Sequence, residues 1–420
     1  MTCKTTAKGR SFRSCIASAL GIAGVLGLPS RADADPLRLR GDALAETQGT
    51  SSPTGLVVLQ GEDSTRPWIG FEGLVWAGWA GTPSATGDVL TLVVHLREPH
   101  GYAEARVGRF ILATGAVHPV QIDGAHVIAR APWGSVVETF GGIPVVPRLG
   151  ARDYDWLVGG RVAETVTTAV TLGVSYVQRR EDGEIANEEV GADLAVAPAR
   201  WLDLAAFGAY DLTTPGLAEA RASAAARWRD WRFELFGSQL SPGRLLPATS
   251  LFSVLGDMPS RTIGGTVRWR AAPRLDLLAS GAAQDVAAGL GGNGWLRATL
   301  RLDDRGNASL GLEVRRVAVP GAQWTGVRGI AALPLGRGFR YSNEIEIVVP
   351  DAPDGRGAAW PWGLSALSWR SRTGWEVAGG LEASSTPQRR YEGDALLRLT
   401  YALGGPPSNG PAAAPYPRSP

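Results

Sequence analysis

The four histidines of the chain, His95, His100, His118 and His126, all fall between residues 95 and 126, and clustered imidazoles are the usual raw material of a metal site. Their placement argues against one. His95 and His100 lie before and at a short turn, whereas His118 and His126 flank the long loop that follows, so the two pairs are expected at opposite ends of their strands, and no metal is expected. Asp123 and His126 stand three residues apart beside that loop, a spacing that would suit an acid–base pair. No nucleophile motif accompanies them, and the glycine-rich stretch Gly289 to Gly294 lacks the Lys-Ser/Thr of a phosphate loop. Neither a catalytic residue nor a cofactor site is expected.

The chemistry that remains is charge. Glu104, Arg106, Arg221, Arg227, Arg268, Arg270, Arg297, Arg301, Glu313, Arg315, Glu344, Glu346 and Arg398 alternate with apolar neighbours. Side chains on a strand point to opposite faces with period two, so these residues belong to one face of a sheet. A wall in which guanidinium predominates breaks no bonds, but it can select ions, and a mild preference for anions is the expectation. The competing reading is that the charges pair across neighbouring strands and only solvate the wall.

Strands must hold such a row. In Trp295 to Asp304, Arg297, Thr299 and Arg301 take one parity and Leu296, Ala298, Leu300 and Leu302 the other. Thr266, Arg268 and Arg270 likewise oppose Val267, Trp269 and Ala271, and Arg398 and Thr400 oppose Leu397, Leu399, Tyr401 and Leu403. A soluble sandwich alternates too, so the connections decide. Short turns recur at Ala197 to Leu204, Ala272 to Leu277, Arg229 to Phe233, Asp304 to Asn307, Gly336 to Phe339 and Arg372 to Trp375. Longer loops are expected between them at Arg180 to Glu188, Ser241 to Arg261, Asp285 to Gly294 and Pro350 to Ala358. Short connections on one side and long ones on the other mark a single antiparallel up-and-down transmembrane β-barrel, all-β, of about 20 strands (18–22), with the short set facing the periplasm.

Composition agrees. The 420 residues are 44% hydrophobic with mean hydropathy near zero, and beyond the N-terminal region no apolar run approaches the ~18 residues of a spanning helix. Fifteen tryptophans, many at strand ends, suit aromatic belts at two interfaces, with Trp68, Trp156, Trp295, Trp324 and Trp360 assigned to the long-loop side. Lys4, Lys8, Arg10 and Arg13, then the apolar Ser14 to Leu28, then Ala32-Asp33-Ala34, read as a secretory signal over 1–34, cut after Ala34. Cys3 and Cys15 both leave with it, so the mature chain has no thiol chemistry. Removing its five basic residues and one acidic residue leaves 37 basic against 39 acidic side chains, which argues against a nucleic-acid partner.

The organisation expected is then an N-terminal segment, 35–66, forming an extra hairpin or sitting in the periplasm or lumen, a barrel over 67–403, and a disordered Pro-rich tail over 404–420. Leu245 to Gly256 is apolar enough to fold inward as a constriction or to lie at the rim. In Ala103 to Phe110 the parity breaks at Arg109, and a bulge at Gly108 would restore it to the polar face.

That stretch carries a resemblance. Val107-Gly108-Arg109-Phe110, Thr114-Gly115, Ile122-Asp123-Gly124-Ala125 and Phe140-Gly141-Gly142-Ile143 resemble the hairpin of alginate-export-like and phosphate-selective-type porins. The resemblance spans about forty residues. It implies that Arg106, Arg109 and Asp123 line a lumen near its constriction. The function expected is a bacterial outer-membrane channel for small solutes, a monomer or an oligomer, with barrel-assembly machinery and outer-membrane lipid as its partners. The alternatives are an exit barrel for an exported polysaccharide, working with periplasmic machinery, and a plugged barrel used as a surface scaffold.

Overall fold

The computed structural model describes residues 37–48, 54–66, 68–80, 85–145, 155–241, 260–286, 289–304, 306–352, 359–385 and 391–403. The signal segment, the Pro-rich tail and the inward-folding candidate Leu245 to Gly256 lie outside the described residues. The strands in chain order are β1 (Leu37–Gln48), β2 (Thr54–Arg66), β3 (Ile69–Ala80), β4 (Thr86–Arg97), β5 (Ala103–Leu112), β6 (Val120–Arg130), β7 (Ser135–Pro144), β8 (Trp156–Thr167), β9 (Val170–Glu181), β10 (Glu184–Ala199) and β11 (Leu202–Asp211). They continue with β12 (Gly216–Trp228), β13 (Trp231–Leu240), β14 (Ser260–Ala272), β15 (Leu275–Val286), β16 (Gly289–Arg301), β17 (Ser309–Val319), β18 (Ala322–Gly336), β19 (Phe339–Pro350), β20 (Trp360–Arg370), β21 (Trp375–Ser384) and β22 (Glu392–Leu403).

Each strand pairs antiparallel with its sequence neighbours, and β1 pairs with β22 from Leu39↔Leu403 to Gln48↔Asp394, which closes the sheet into a 22-stranded barrel. The strands run from 10 to 16 residues, enough to cross a bilayer, which takes about 9–11. The two strands beyond the expected twenty are β1 and β2. Leu37-Arg38-Leu39-Arg40 alternates, but Gly41 to Ala45 is nearly all small or apolar and blurs the period. No described helix is long and apolar enough to cross a membrane.

Alternation sorts the two faces. Leu235, Ile263, Leu296 and Leu312 are 54–70% exposed on the outward face, where bilayer hydrocarbon replaces water. The two-residue turns Arg200-Trp201, Arg229-Asp230, Pro273-Arg274 and Arg337-Gly338 all lie at one end of the barrel. The opposite end is less uniform than expected. Asp182-Gly183, with positive φ at both positions, is a tight turn where a long loop was expected, and β15 and β16 continue to Val286 and resume at Gly289. The charged residues flanking these positions read as loop, yet they belong to strands. Trp68 lies at the short-turn end, and Trp295 and Trp324 fall on the inward parity instead of in a belt.

An apolar core sits inside one sector of the ring. Val93, Phe110, Leu112, Val117, Val120, Ile122, Phe140, Leu157 and Val177 are buried together on the inner face of β4–β9. Val117 comes from the connection 113–119, which folds into the lumen instead of standing away from it.

Candidate functional site: the charged inner wall

The inward connection is possible because of Gly115. Its φ is +53°, and a Cβ there would meet Asp193 Oδ1 at 2.5 Å and Arg161 Nε at 2.6 Å, so a side chain would collide with the ion pair against which the segment packs. Beside it, Thr114 Oγ1 donates to Glu138 Oε2 at 2.6 Å, and Arg161 Nη1 donates to Glu138 Oε1 at 2.9 Å. Arg161 then forks onto Asp193 at 2.9 and 2.6 Å, the bidentate geometry that makes such pairs strong. His126 Nε2 stands 3.2 Å from the same Glu138, its ring packed between Phe110 and Phe140.

His118 ends the segment. Its Nδ1 lies 2.9 Å from Glu189 Oε2 on β10, and its Nε2 lies 2.7 Å from Glu219 Oε2 on β12. Burial disfavours its charge, but the hydrogen bond to Glu189 and the close carboxylate of Glu219 outweigh that and lift its pKa to about 9. The imidazolium therefore clamps two strands through the connection between β5 and β6. Glu219 also pairs with Arg221. The charges of this sector neutralise one another.

The sector from β12 to β16 is different. Arg227 is the register partner of Arg232, and Arg232 that of Arg268, so three guanidinium groups stand in one row on the inner face near the short-turn end. Arg270 follows two residues along from Arg268. Counter-charge is thin here. Arg227 bonds Asp203 at 2.7 Å and Arg232 reaches Glu234 only at 3.5 Å, while Arg268, Arg270 and Arg301 share Asp276 at 3.8, 3.8 and 2.6 Å. The side chains of Arg227, Arg232, Arg268 and Arg270 are 42–56% exposed. Like charges directly opposite one another destabilise a sheet.

The remaining expected residues meet opposite charges on their own or a neighbouring strand. Arg297 and Arg315 both contact Glu313, Arg328 contacts Glu344, Arg398 bonds Glu376 at 2.7 Å, and Glu104 lies 3.5 Å from Arg106 and 3.6 Å from Arg130. Glu346 is the register partner of Arg328 on the same inner row. Arg109 and Asp123 stand elsewhere. They are register partners on the face that carries the exposed Leu92 and Val107, the outward one. Arg109 donates to Asp123 at 2.6 and 2.9 Å and to Asp88 at 3.0 Å. The bulge expected at Gly108 is absent: both registers run unbroken through it. Gly108 instead adopts φ +132°, and a Cβ there would meet Leu92 O at 2.1 Å.

The histidines do not separate into two distant pairs. His95, Arg106 and His126 form one register row across β4, β5 and β6, while His100 lies in the short turn and His118 at the other end. Among the described residues no group of three or more metal-ligating side chains forms. Sequence reasoning missed Glu138, Arg161, Asp193, Glu189 and Glu219, all of which inward parity could have found, and Arg232, which reads as part of a turn.

No protein-family description matches the sequence, and no curated protein does. Among solved structures the chain is similar to the translocation pore of the P pilus usher PapC, at 9% identity and a TM-score of 0.51, over 87% of this chain and 99% of that one. It is also similar to a chain of the E. coli P pilus tip assembly intermediate PapC-PapD-PapK-PapG, at 10% identity and a TM-score of 0.50, over 89% of this chain and 62% of that one. For Pseudomonas aeruginosa OpdK with vanillate the values are 11% and 0.39, over 87% and 98%. At these identities the likeness to PapC is one of fold, that of a large β-barrel.

Proposed function

We propose that the protein is an outer-membrane channel through which small solutes diffuse, with a mild preference for anions. The observation that carries this reading is the row Arg227, Arg232 and Arg268, three like charges held side by side on the inner wall with few carboxylates near them. A fold gains no stability from such a row, whereas an aqueous passage gains a local excess of counter-ions. Secretion by the 1–34 signal, insertion by barrel-assembly machinery and absence of enzymatic activity belong to the same reading. The test is single-channel conductance of the refolded mature protein in planar bilayers under a salt gradient. Steady openings with a reversal potential on the anion side support it, and openings that prefer cations overturn the anion preference.

The similarity to the PapC translocation pore favours a second reading, an exit conduit for a larger cargo working with periplasmic machinery. That reading gains if the folded protein conducts nothing until a polymer or a periplasmic partner is supplied.

A further inference from the structure

The outward wall of β22 and β1–β4 is indented. Gly61 and Gly73 are register partners on the outward parity, and Gly41 stands opposite Leu59 in the next pair. Where their neighbours carry Leu39, Leu59, Phe71, Leu92 and Leu399, these glycines carry nothing, and a groove of about 320 Å³ opens over them. Its walls are aliphatic and aromatic side chains. On its β21–β22 flank it is bounded by Trp375 and Tyr401, whose rings pack 4.6 Å apart. The turn just ahead of Trp375 holds the exposed Arg372, and Ser371 Oγ fixes that turn by accepting the N–H of Thr373 at 3.2 Å and of Trp375 at 3.0 Å.

We propose that this groove binds one acyl chain of a phospholipid from the leaflet at the short-turn end, with the lipid phosphate at Arg372. Three features select that occupant. The groove lies on the face that meets hydrocarbon, flanked where β21 begins by a Trp–Tyr pair of the kind that marks the headgroup level. Its volume is about twice the ~150 Å³ that accommodates benzene, so it takes a chain of roughly a dozen carbons. A basic side chain on a braced turn stands at the end where a phosphate would lie. A second copy of the chain fits less well. A two-fold contact sets the same patch against itself, and a concave groove set against a concave groove encloses a void. The site is independent of what passes through the lumen.

The experiment uses the full barrel in proteoliposomes doped with phosphatidylglycerol that bears a diazirine on its acyl chain, with labelled residues located by mass spectrometry. Label on Leu59, Phe71 and Leu92 several-fold above that on Leu235 and Ile263, which are exposed on the far side of the ring, is the expected result. Gly73→Leu fills the groove and is sterically permitted, since a Cβ at Gly73 meets nothing closer than the Phe71 ring at 3.4 Å. It should reduce the groove label to the level at Leu235, and Arg372→Gln should weaken it with the headgroup's charge. Even labelling around the wall, or a pattern unchanged by Gly73→Leu, overturns the proposal. So does a wild-type dimer crosslinked through Leu59 and Phe71 that Gly73→Leu disperses, which would assign the groove to a second copy.

Discussion

Arg232 faces Arg268 directly across the β13–β14 pair, and Arg227 faces Arg232 across β12–β13. Adjacent guanidinium groups repel, and their exposure to the lumen leaves solvent and passing ions to screen them. Arg268→Glu would place a carboxylate between Arg232 and the Asp276 cluster. A unit charge at 4 Å in water is worth about 1 kcal/mol, and the substitution changes the charge by two units, so the anion-to-cation permeability ratio should fall about fivefold or more at low salt. The reversal potential in a salt gradient measures it, and the difference from wild type should shrink at high ionic strength.

The His118 clamp has a pH signature. Its folded pKa of about 9 exceeds its ordinary value of 6.5, so the stabilisation it provides is fully present below 6.5 and is lost as pH rises through about 9. Protection of the amides across 113–119, taken relative to their intrinsic base-catalysed exchange, should therefore fall above pH 9 in the wild type. In His118→Gln, protection should be low at neutral pH already and should show no such step.

Arg161 neutralises two carboxylates at once, Glu138 and Asp193, whose side chains are only 10% and 17% exposed. Arg161→Ala leaves both without that partner, and stranding buried charge in this way costs about 3–5 kcal/mol. Urea unfolding from lipid, followed by tryptophan fluorescence, should show that loss. Arg161→Met together with Glu138→Gln and Asp193→Asn should recover most of it.

Replacing residues 113–119 with a two-residue Asn-Gly turn removes the segment that fills the lumen beside β4–β12. If the open path runs past this segment, single-channel conductance should rise. An unchanged conductance in a correctly folded variant would place the path elsewhere in the ring.

Much of this was legible in the sequence where period two runs clean. Arg297 and Arg301 against Leu296 and Leu300 give the faces of β16 outright, and the inner charges follow. Arg232 was obscured because Arg229-Asp230-Trp231 reads as a turn that extends to Phe233, although β13 already begins at Trp231. Arg109 was misplaced for a related reason. Restoring parity by a bulge is the ordinary solution, but Gly108 allows a backbone conformation that keeps the register and leaves Arg109 outside, satisfied by Asp123 and Asp88. The inward fold of 113–119 depends on Glu189 and Glu219, some 70 to 100 residues away in sequence, and local pattern carries no trace of such partners.

The seam between β1 and β22 governs how the ring can come into being. Each terminal strand finds its second neighbour only in the other, with Leu39 beside Leu403. Every other pairing joins strands adjacent in the chain, so the sheet can grow by successive hairpins, but the final ladder spans nearly the whole chain and carries its largest loop-closure entropy. Until it forms, two rows of backbone donors and acceptors stand open in or beside hydrocarbon, where they attract foreign strands. Some other surface must shield both edges during that interval, and removing either terminal strand would make the unshielded state permanent.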